Sequence, residues 1–279
     1  MNIVGLGHCG CAIAKKFSQY PQYSTFYIDT EKWSDDGQSY VFEKHVSHEE
    51  YEDKCPNLKK FFGKCKGDVL FIVGGSGTIS GASLRILEQL KECRISVLYV
   101  QPNLDFLSGK AKLQERAVFQ VFQEFARSGV FQRLYLVNNV SVEMSLSNVT
   151  VTGYFEMLNE AIASTLHMVN VWLHSEPAMT TLEETDITDR ISTFGVMNID
   201  TGEERMLFPL ANVTDKNILY AINEDALKSE GSLLSKIREQ VKRKMVKDMK
   251  VSFAIYPTDY VGSQVYVLSH TKILQQQGS

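Results

Sequence analysis

At 279 residues, 44% apolar and 22% charged, the chain can bury a sizeable core and reads as a globular protein of one large or two smaller domains. A net charge of −4 argues against a nucleic-acid-binding surface over the whole chain. No apolar run is long enough to span a bilayer, and the first apolar stretch is a short strand followed by glycines, not a signal peptide. Five cysteines without a C-x-x-C pair argue against a zinc or dithiol site and predict reduced thiols in a cytoplasmic protein with no direct membrane contact.

In chain order, residues 2–6 read as a buried strand, 7–10 as a turn, and 12–19 as the start of a helix with Ile13 and Phe17 on one face. TFYID, 25–29, is a second strand ending in an acid, and a polar, irregular stretch covers 33–57. Next come the strand DVLFIV (68–73), the glycine loop GGSGTISG (74–81) and the amphipathic helix ASLRILEQLKE. ISVLYVQP is a strand stopped by Pro102. A helix over 111–128 carries Val118, Val121, Phe122 and Phe125 on its apolar face, and RLYLVNN is a strand ending in Asn138 and Asn139. Strands that are continuous apolar runs and alternate with helices predict a parallel sheet covered on both faces, with ligands beyond the strands' carboxyl ends.

Residues 151–175 form a long, mostly apolar helix, predicted to be buried between two units. After Pro177 the strands STFGVMNI, ILYAI, KVSFAIYPT and SQVYVLSHTKI, with a helix over 232–249, predict a smaller α+β unit. The predicted layout is an α/β, Rossmann-like domain over 1–150, a central helix over 151–177 and an α+β domain over 178–279; the final Gly278-Ser279 reads as a cloning remnant.

Gly5, Gly7 and Gly10 have the G-x-G-x-x-G spacing, and Asp29 follows about 20 residues on, where a ribose-binding acid belongs. Alone, this motif fits a dinucleotide. The second glycine loop also follows a strand and opens a helix. Glycines let backbone amides approach an anion, and a helix N-terminus adds positive potential. Two such turns facing one pocket suit a di- or triphosphate, and no Walker A pattern is present.

GHCGCAIAKKF resembles tubulin's GQCGNQIG loop, with His8 at the Gln position and Cys9 and Gly10 matching. GDVLFIVGGSGTISG resembles the strand and the GGGTGSG signature loop, IDTE is similar to the VNTD segment of FtsZ, and ISVLYVQPNLDFLSG looks like the FtsZ strand entering its PFxFEG segment. Over nearly its whole length the chain resembles the tubulin/FtsZ superfamily of polymerising GTPases. The resemblance implies that fold, GTP or GDP as ligand, and Mg²⁺ on the β- and γ-oxygens. It implies phosphate contacts from Gly7, His8, Cys9 and Gly10 and from Gly75, Ser76, Gly77, Thr78, Ile79, Ser80 and Gly81. It implies that guanine is read by Asn138 or Asn139 and by Phe155 and Asn159, one helical turn apart.

LEETDITDRIS, expected at the end of the long helix, carries Glu183, Glu184, Asp186 and Asp189 and by itself reads as a solvated acidic loop. The resemblance implies that Asp186 and Asp189, aided by Glu184, orient the attacking water in the next copy's nucleotide site. Hydrolysis would then accompany head-to-tail stacking of the chain on itself into filaments.

The match has departures. Ser76 and Ile79 replace glycines, which predicts a locally altered loop, since a β-branched residue tolerates positive φ poorly. Glu184 stands where FtsZ has Asn, Ser108 where it has a ribose-contacting Glu, and Lys112 is the nearest candidate for a following Arg. A tailless, divergent chain is similar to the phage- or plasmid-encoded branch, which implies a DNA-adaptor or virion cargo; direct nucleic-acid binding is not indicated. Alternative readings are an assembly or regulatory protein with weak or no GTPase activity and, with less support, an NAD-binding Rossmann protein. The basic helix over 236–250 reads as a solvated face and His45 and His48 as surface residues; Cys9 and Cys11 border the phosphate loop, where a helix N-terminus lowers a thiol pKa, but nothing else in the sequence supports oxidation sensitivity.

Overall fold

β1 (Asn2–Leu6) is buried at every position, as its unbroken apolar run predicts, and passes directly into α1 (Gly7–Phe17). The chain continues through β2 (Ser24–Asp29), β3 (Ser39–Val41), α2 (His48–Asp53), β4 (Asp68–Gly74), a 3₁₀ turn (Thr78–Ala82) and α3 (Ser83–Gln89). β5 (Arg94–Gln101), α4 (Gly109–Arg127), β6 (Arg133–Asn138), α5 (Asn139–Ser145) and α6 (Tyr154–Leu173) complete the first half. This computed structural model describes residues 1–276, so Gly278-Ser279 lies outside the described residues.

The first six strands lie in the order β3-β2-β1-β4-β5-β6, and every neighbouring pair is parallel. The order reverses between β1 and β4, which opens a crevice at their carboxyl ends. The stretch over 33–57 holds β3 and α2 and is not irregular. Ser47 caps α2 by accepting from the Glu50 amide at 3.2 Å, and Phe42 and Tyr51 bury against His45, which is therefore a core residue, not a surface one. On α4 Glu115, Phe119, Phe122, Gln123 and Ala126 are buried, with Val118 and Phe125 partly buried, while Val121 is exposed.

The second half contains β7 (Met179–Thr180), β8 (Ile191–Met197), β9 (Glu204–Met206), β10 (Asp215–Asn223), α7 (Glu224–Ser229), α8 (Leu233–Lys244), β11 (Lys250–Thr258) and β12 (Gln264–Thr271). β8 pairs in parallel with the start of β6 through Leu134 opposite Ile191 and Tyr135 opposite Ser192. The two halves therefore share one twelve-stranded sheet. α6 lies across it. Leu158, Ile162, Leu166 and Val169 share one core with Ile13 and Phe17 of α1 and with Phe194, Leu219, Tyr256 and Leu268 of the later strands. Each such side chain contributes about 1.5–3 kcal/mol when fully buried. Burial is not all-round, however: Glu156 and Glu160 are exposed and pair with Lys16.

Candidate functional site

The first glycine turn is the opening turn of α1, which starts at Gly7 and not at residue 12. A Cβ on Gly5 would lie 2.5 Å from the Gly10 carbonyl oxygen, and one on Gly10 would lie 2.3 Å from that of Ile72. Only glycine lets α1 pack this closely on β1 and β4, and Gly7 enters the helix with φ of +69°. No side chain caps α1 and no acid stands in its first turn, which leaves the positive end of an eleven-residue helix at the crevice.

The second turn meets the first. A Cβ on Gly74 would lie 3.1 Å from Cys9 Cβ, and one on Gly7 would lie 2.6 Å from Ile79 Cγ2. Ser76, Gly77 and Thr78 are exposed, while Ile79 points into the core. The strain expected at Ile79 is absent because the residue sits inside the 3₁₀ turn at negative φ. Gly75 is pressed beneath Tyr99, and Gly81 abuts the His48 backbone. Ser80 Oγ and Ser83 Oγ are buried and have no protein partner. Burial pushes the Cys9 thiol up to about 12.

On the base side, Asn138 is already committed. Its Oδ1 accepts from the Ser141 amide at 3.0 Å, capping α5, and its Nδ2 donates to Gln101 Oε1 at 2.8 Å. Asn139 carries no such bond among the described residues. Phe155 is 66% exposed and so no core residue, and Asn159, one turn on, is buried. The sequence reading missed Gln101 and Glu115. Tyr99 Oη donates to the buried Glu115 at 2.9 Å, and Gln101 Nε2 lies 3.4 Å from the same oxygen, so a polar chain links Tyr99, which packs against Gly75, to Asn138. A charged residue inside the apolar stripe of α4 was the available signal.

Asp29 does not face a ribose. Thr30 N and Trp33 Nε1 donate to its two oxygens at 2.8 Å each, and the residue is buried. The dinucleotide reading therefore loses its diagnostic acid. Trp33, also missed from sequence, packs its ring 5.1 Å from that of His8.

The acidic run does not end the long helix. α6 stops at Leu173, and residues 181–190 lead from β7 into β8. Because β8 pairs with the start of β6, this segment lies at the opposite end of the sheet from the glycine turns. The six residues of β6 separate the two by about 20 Å. Glu184 and Asp186 are exposed. Asp186 Oδ1 accepts from Thr188 N and Oγ1, both at 2.8 Å, and these bonds, the backbone one first, hold its carboxyl below the usual range. Asp189, expected to project outward, is only 6% exposed and lies against its own chain. Glu183 pairs with Lys250 at 2.7 Å. Among the described residues, no three or more His, Cys, Asp or Glu residues are arranged to hold a metal ion.

No family model and no curated protein sequence matches the chain. Solved structures do. A GTPγS-form protofilament of TubZ from Bacillus thuringiensis serovar israelensis superposes with a TM-score of 0.71 at 14% identity, covering 96% of this chain and 86% of that one. GDP-bound CetZ1 from Haloferax volcanii gives 0.73 at 14% identity, covering 98% and 94%. An empty FtsZ dimer from M. jannaschii gives 0.65 at 11%, covering 97% and 87%. The similarity spans both halves of the sheet and the helix across them, and the chain has the tubulin/FtsZ fold.

Proposed function

We propose that this chain binds GTP in the crevice between β1 and β4, assembles head to tail with further copies, and hydrolyses GTP where two copies meet. One observation carries the reading: the glycine turns and the acidic segment occupy opposite ends of one continuous sheet. A water activated by the acids can reach the phosphates only if another copy supplies them. A repeated contact of this kind does not close on itself and generates a filament.

The α1 amides and the 74–81 turn would grip the phosphates, with Thr78 and the unpartnered Ser80 hydroxyl as added donors. Asn139, Phe155 and Asn159 would contact the base. Neither glycine turn contains an acid, so Mg²⁺ would be held chiefly through phosphate oxygens, where it neutralises developing charge. The exposed Asp186, assisted by Glu184, is the acid available to a neighbour.

The burial of Asp189 favours a second reading, in which the chain binds nucleotide and assembles but hydrolyses it weakly or not at all. Phosphate release measured against protein concentration, alongside pelleting with GTP and with a non-hydrolysable analogue, separates the two. The first reading expects release that rises faster than linearly with concentration. Pelleting without release selects the second, and neither pelleting nor GTP binding removes both.

A further inference from the structure

The carboxyl ends of the parallel strands form one row. Leu6 of β1 stands in register with Ile28 of β2 and Val73 of β4, Gly74 with Val100 of β5, and Gln101 with Asn138 of β6. Asp29, Gly7, Gly74, Gln101 and Asn138 therefore follow one another across the crevice. Asn139, a base contact in the reading above, stands at the β6 end of this row, and the start of α1 lies three strand spacings away, about 14 Å. A nucleotide laid across that distance has its base at β6 and its phosphates over α1 and the 74–81 turn. Its terminal phosphate, farthest from the base, falls on the β2 side of Gly7.

Two rings stand on that side. His8, the second residue of α1, is exposed, and its imidazole makes no hydrogen bond among the described residues. Its ring centroid lies 5.1 Å from that of Trp33, with 59° between the planes. Trp33 is held from three directions. Nε1 donates to Asp29 Oδ2 at 2.8 Å, the backbone N donates to Ser39 Oγ at 3.0 Å, and the indole lies nearly parallel to the Tyr27 ring, 16° between planes and 6.4 Å between centroids. Asp29 is itself fixed, because its other oxygen accepts from Thr30 N at 2.8 Å. An indole tied in this way cannot turn aside. It closes off part of the space open to His8 and leaves the imidazole at the mouth of the first glycine turn. An imidazole carries at least one ring N–H donor in either protonation state, the kind of group that bonds an anionic phosphate oxygen.

We propose that His8 is the side chain by which this site distinguishes a nucleoside triphosphate from a diphosphate, donating a ring N–H to the terminal phosphate, and that Trp33 is the positioning residue that holds His8 there. The proposal rests on the functional reading above, which supplies the ligand.

The test titrates the full chain calorimetrically with a non-hydrolysable GTP analogue and with GDP, in the parent, His8→Ala, Trp33→Ala, Trp33→Phe and the double variant H8A/W33A. H8A is expected to weaken the triphosphate about tenfold or more and GDP less than about twofold. W33A is expected to lower the same ratio of affinities about three- to tenfold, and W33F, which keeps a ring beside His8, to stay within about twofold of the parent. The double variant should lose no more than H8A alone, since Trp33 acts through His8. Equal weakening of both ligands in H8A, or no weakening, overturns the proposal. An unchanged ratio in W33A, a W33F variant no better than W33A, or losses that multiply in the double variant overturns the positioning role. Damage to the fold by W33A lowers both affinities together and leaves the ratio to decide. A parent chain that binds neither nucleotide removes the functional reading and the proposal with it, whereas a parent that binds both, with an unchanged ratio in H8A, removes the proposal alone.

Discussion

The site depends first on residues that cannot be enlarged. A Cβ on Gly10 would sit 2.3 Å from the Ile72 carbonyl oxygen, a backbone atom of the neighbouring strand that cannot rotate away. Gly10→Ala is therefore expected to destabilise the fold by about 1–3 kcal/mol and to abolish nucleotide binding. Urea denaturation should show a lower midpoint with an unchanged slope, and a titration with labelled GTP should show no saturation. A second residue-scale consequence concerns His270, whose imidazole burial, and then the Arg133 charge, hold well below its ordinary range. In the unfolded chain this ring takes a proton below about pH 6.5, while in the fold it stays neutral, so the unfolded state binds more protons there. Its contribution is complete above that pH and is lost as pH falls toward the depressed folded value, by up to ~1.4 kcal/mol per pH unit. His167, also depressed by burial, acts in the same direction. Urea midpoints between pH 7.5 and 5.5 should therefore fall, and His270→Gln should flatten part of that fall but not all of it.

At the scale of elements, α6 carries the base-side prediction. Phe155 projects from its first turn with two-thirds of its surface exposed, so Phe155→Ala should leave stability within about 0.5 kcal/mol. If the ring stacks on guanine, the same change should weaken GTP binding about five- to hundredfold, the equivalent of ~1–3 kcal/mol. The emission of Trp33, beside His8 at the first glycine turn, offers a readout in a Trp172→Phe background. Which elements the sequence disclosed follows from how their burial repeats. β1, β4 and β5 are continuous apolar runs, and their bounds are readable to within a residue or two. β3 and α2 were not readable, because each is tied down by a few aromatic contacts that make no periodic pattern. The same limit applies within the site. Both glycine turns could be read because close backbone approach permits one residue type. The commitment of Asn138 to a cap and the sealing of Asp29 by Trp33 depend on the local path of the backbone, which residue types alone do not disclose, and the burial of Asp189 depends on the fold packed around it. The joining of the two halves depends on a short pairing between β6 and β8.

At the scale of the molecule, one sheet sets the glycine turns and the acidic segment at opposite ends, and under the proposed function an acid of one copy completes the site of the next. The resemblance gives Asp186 and Asp189 a shared role in orienting the water, and within one copy their settings differ. Asp189 is turned into its own chain, whereas Asp186 is exposed and already oriented by Thr188 through bonds from both N and Oγ1. Those bonds use only Oδ1 and fix the plane of the carboxyl, while Oδ2 accepts no hydrogen bond among the described residues. An acid so held loses little freedom on docking, which favours the in-trans step. Asp186→Asn keeps the acceptor for Thr188 and the shape of the tip but removes the charge that would polarise the water. In a copy that binds GTP through its own intact turns, assembly should proceed while phosphate release falls about a hundredfold or more. Filaments should then persist after GTP is diluted away, whereas those of the parent chain should disassemble. Asp189→Asn, changing a buried residue on the same segment, should instead alter urea stability more than turnover. Pelleting, phosphate release and denaturation on the two variants in parallel test this assignment. Should D189N lose turnover while D186N keeps it, the inward and outward roles would have to be exchanged, and the segment would need to rearrange as two copies meet.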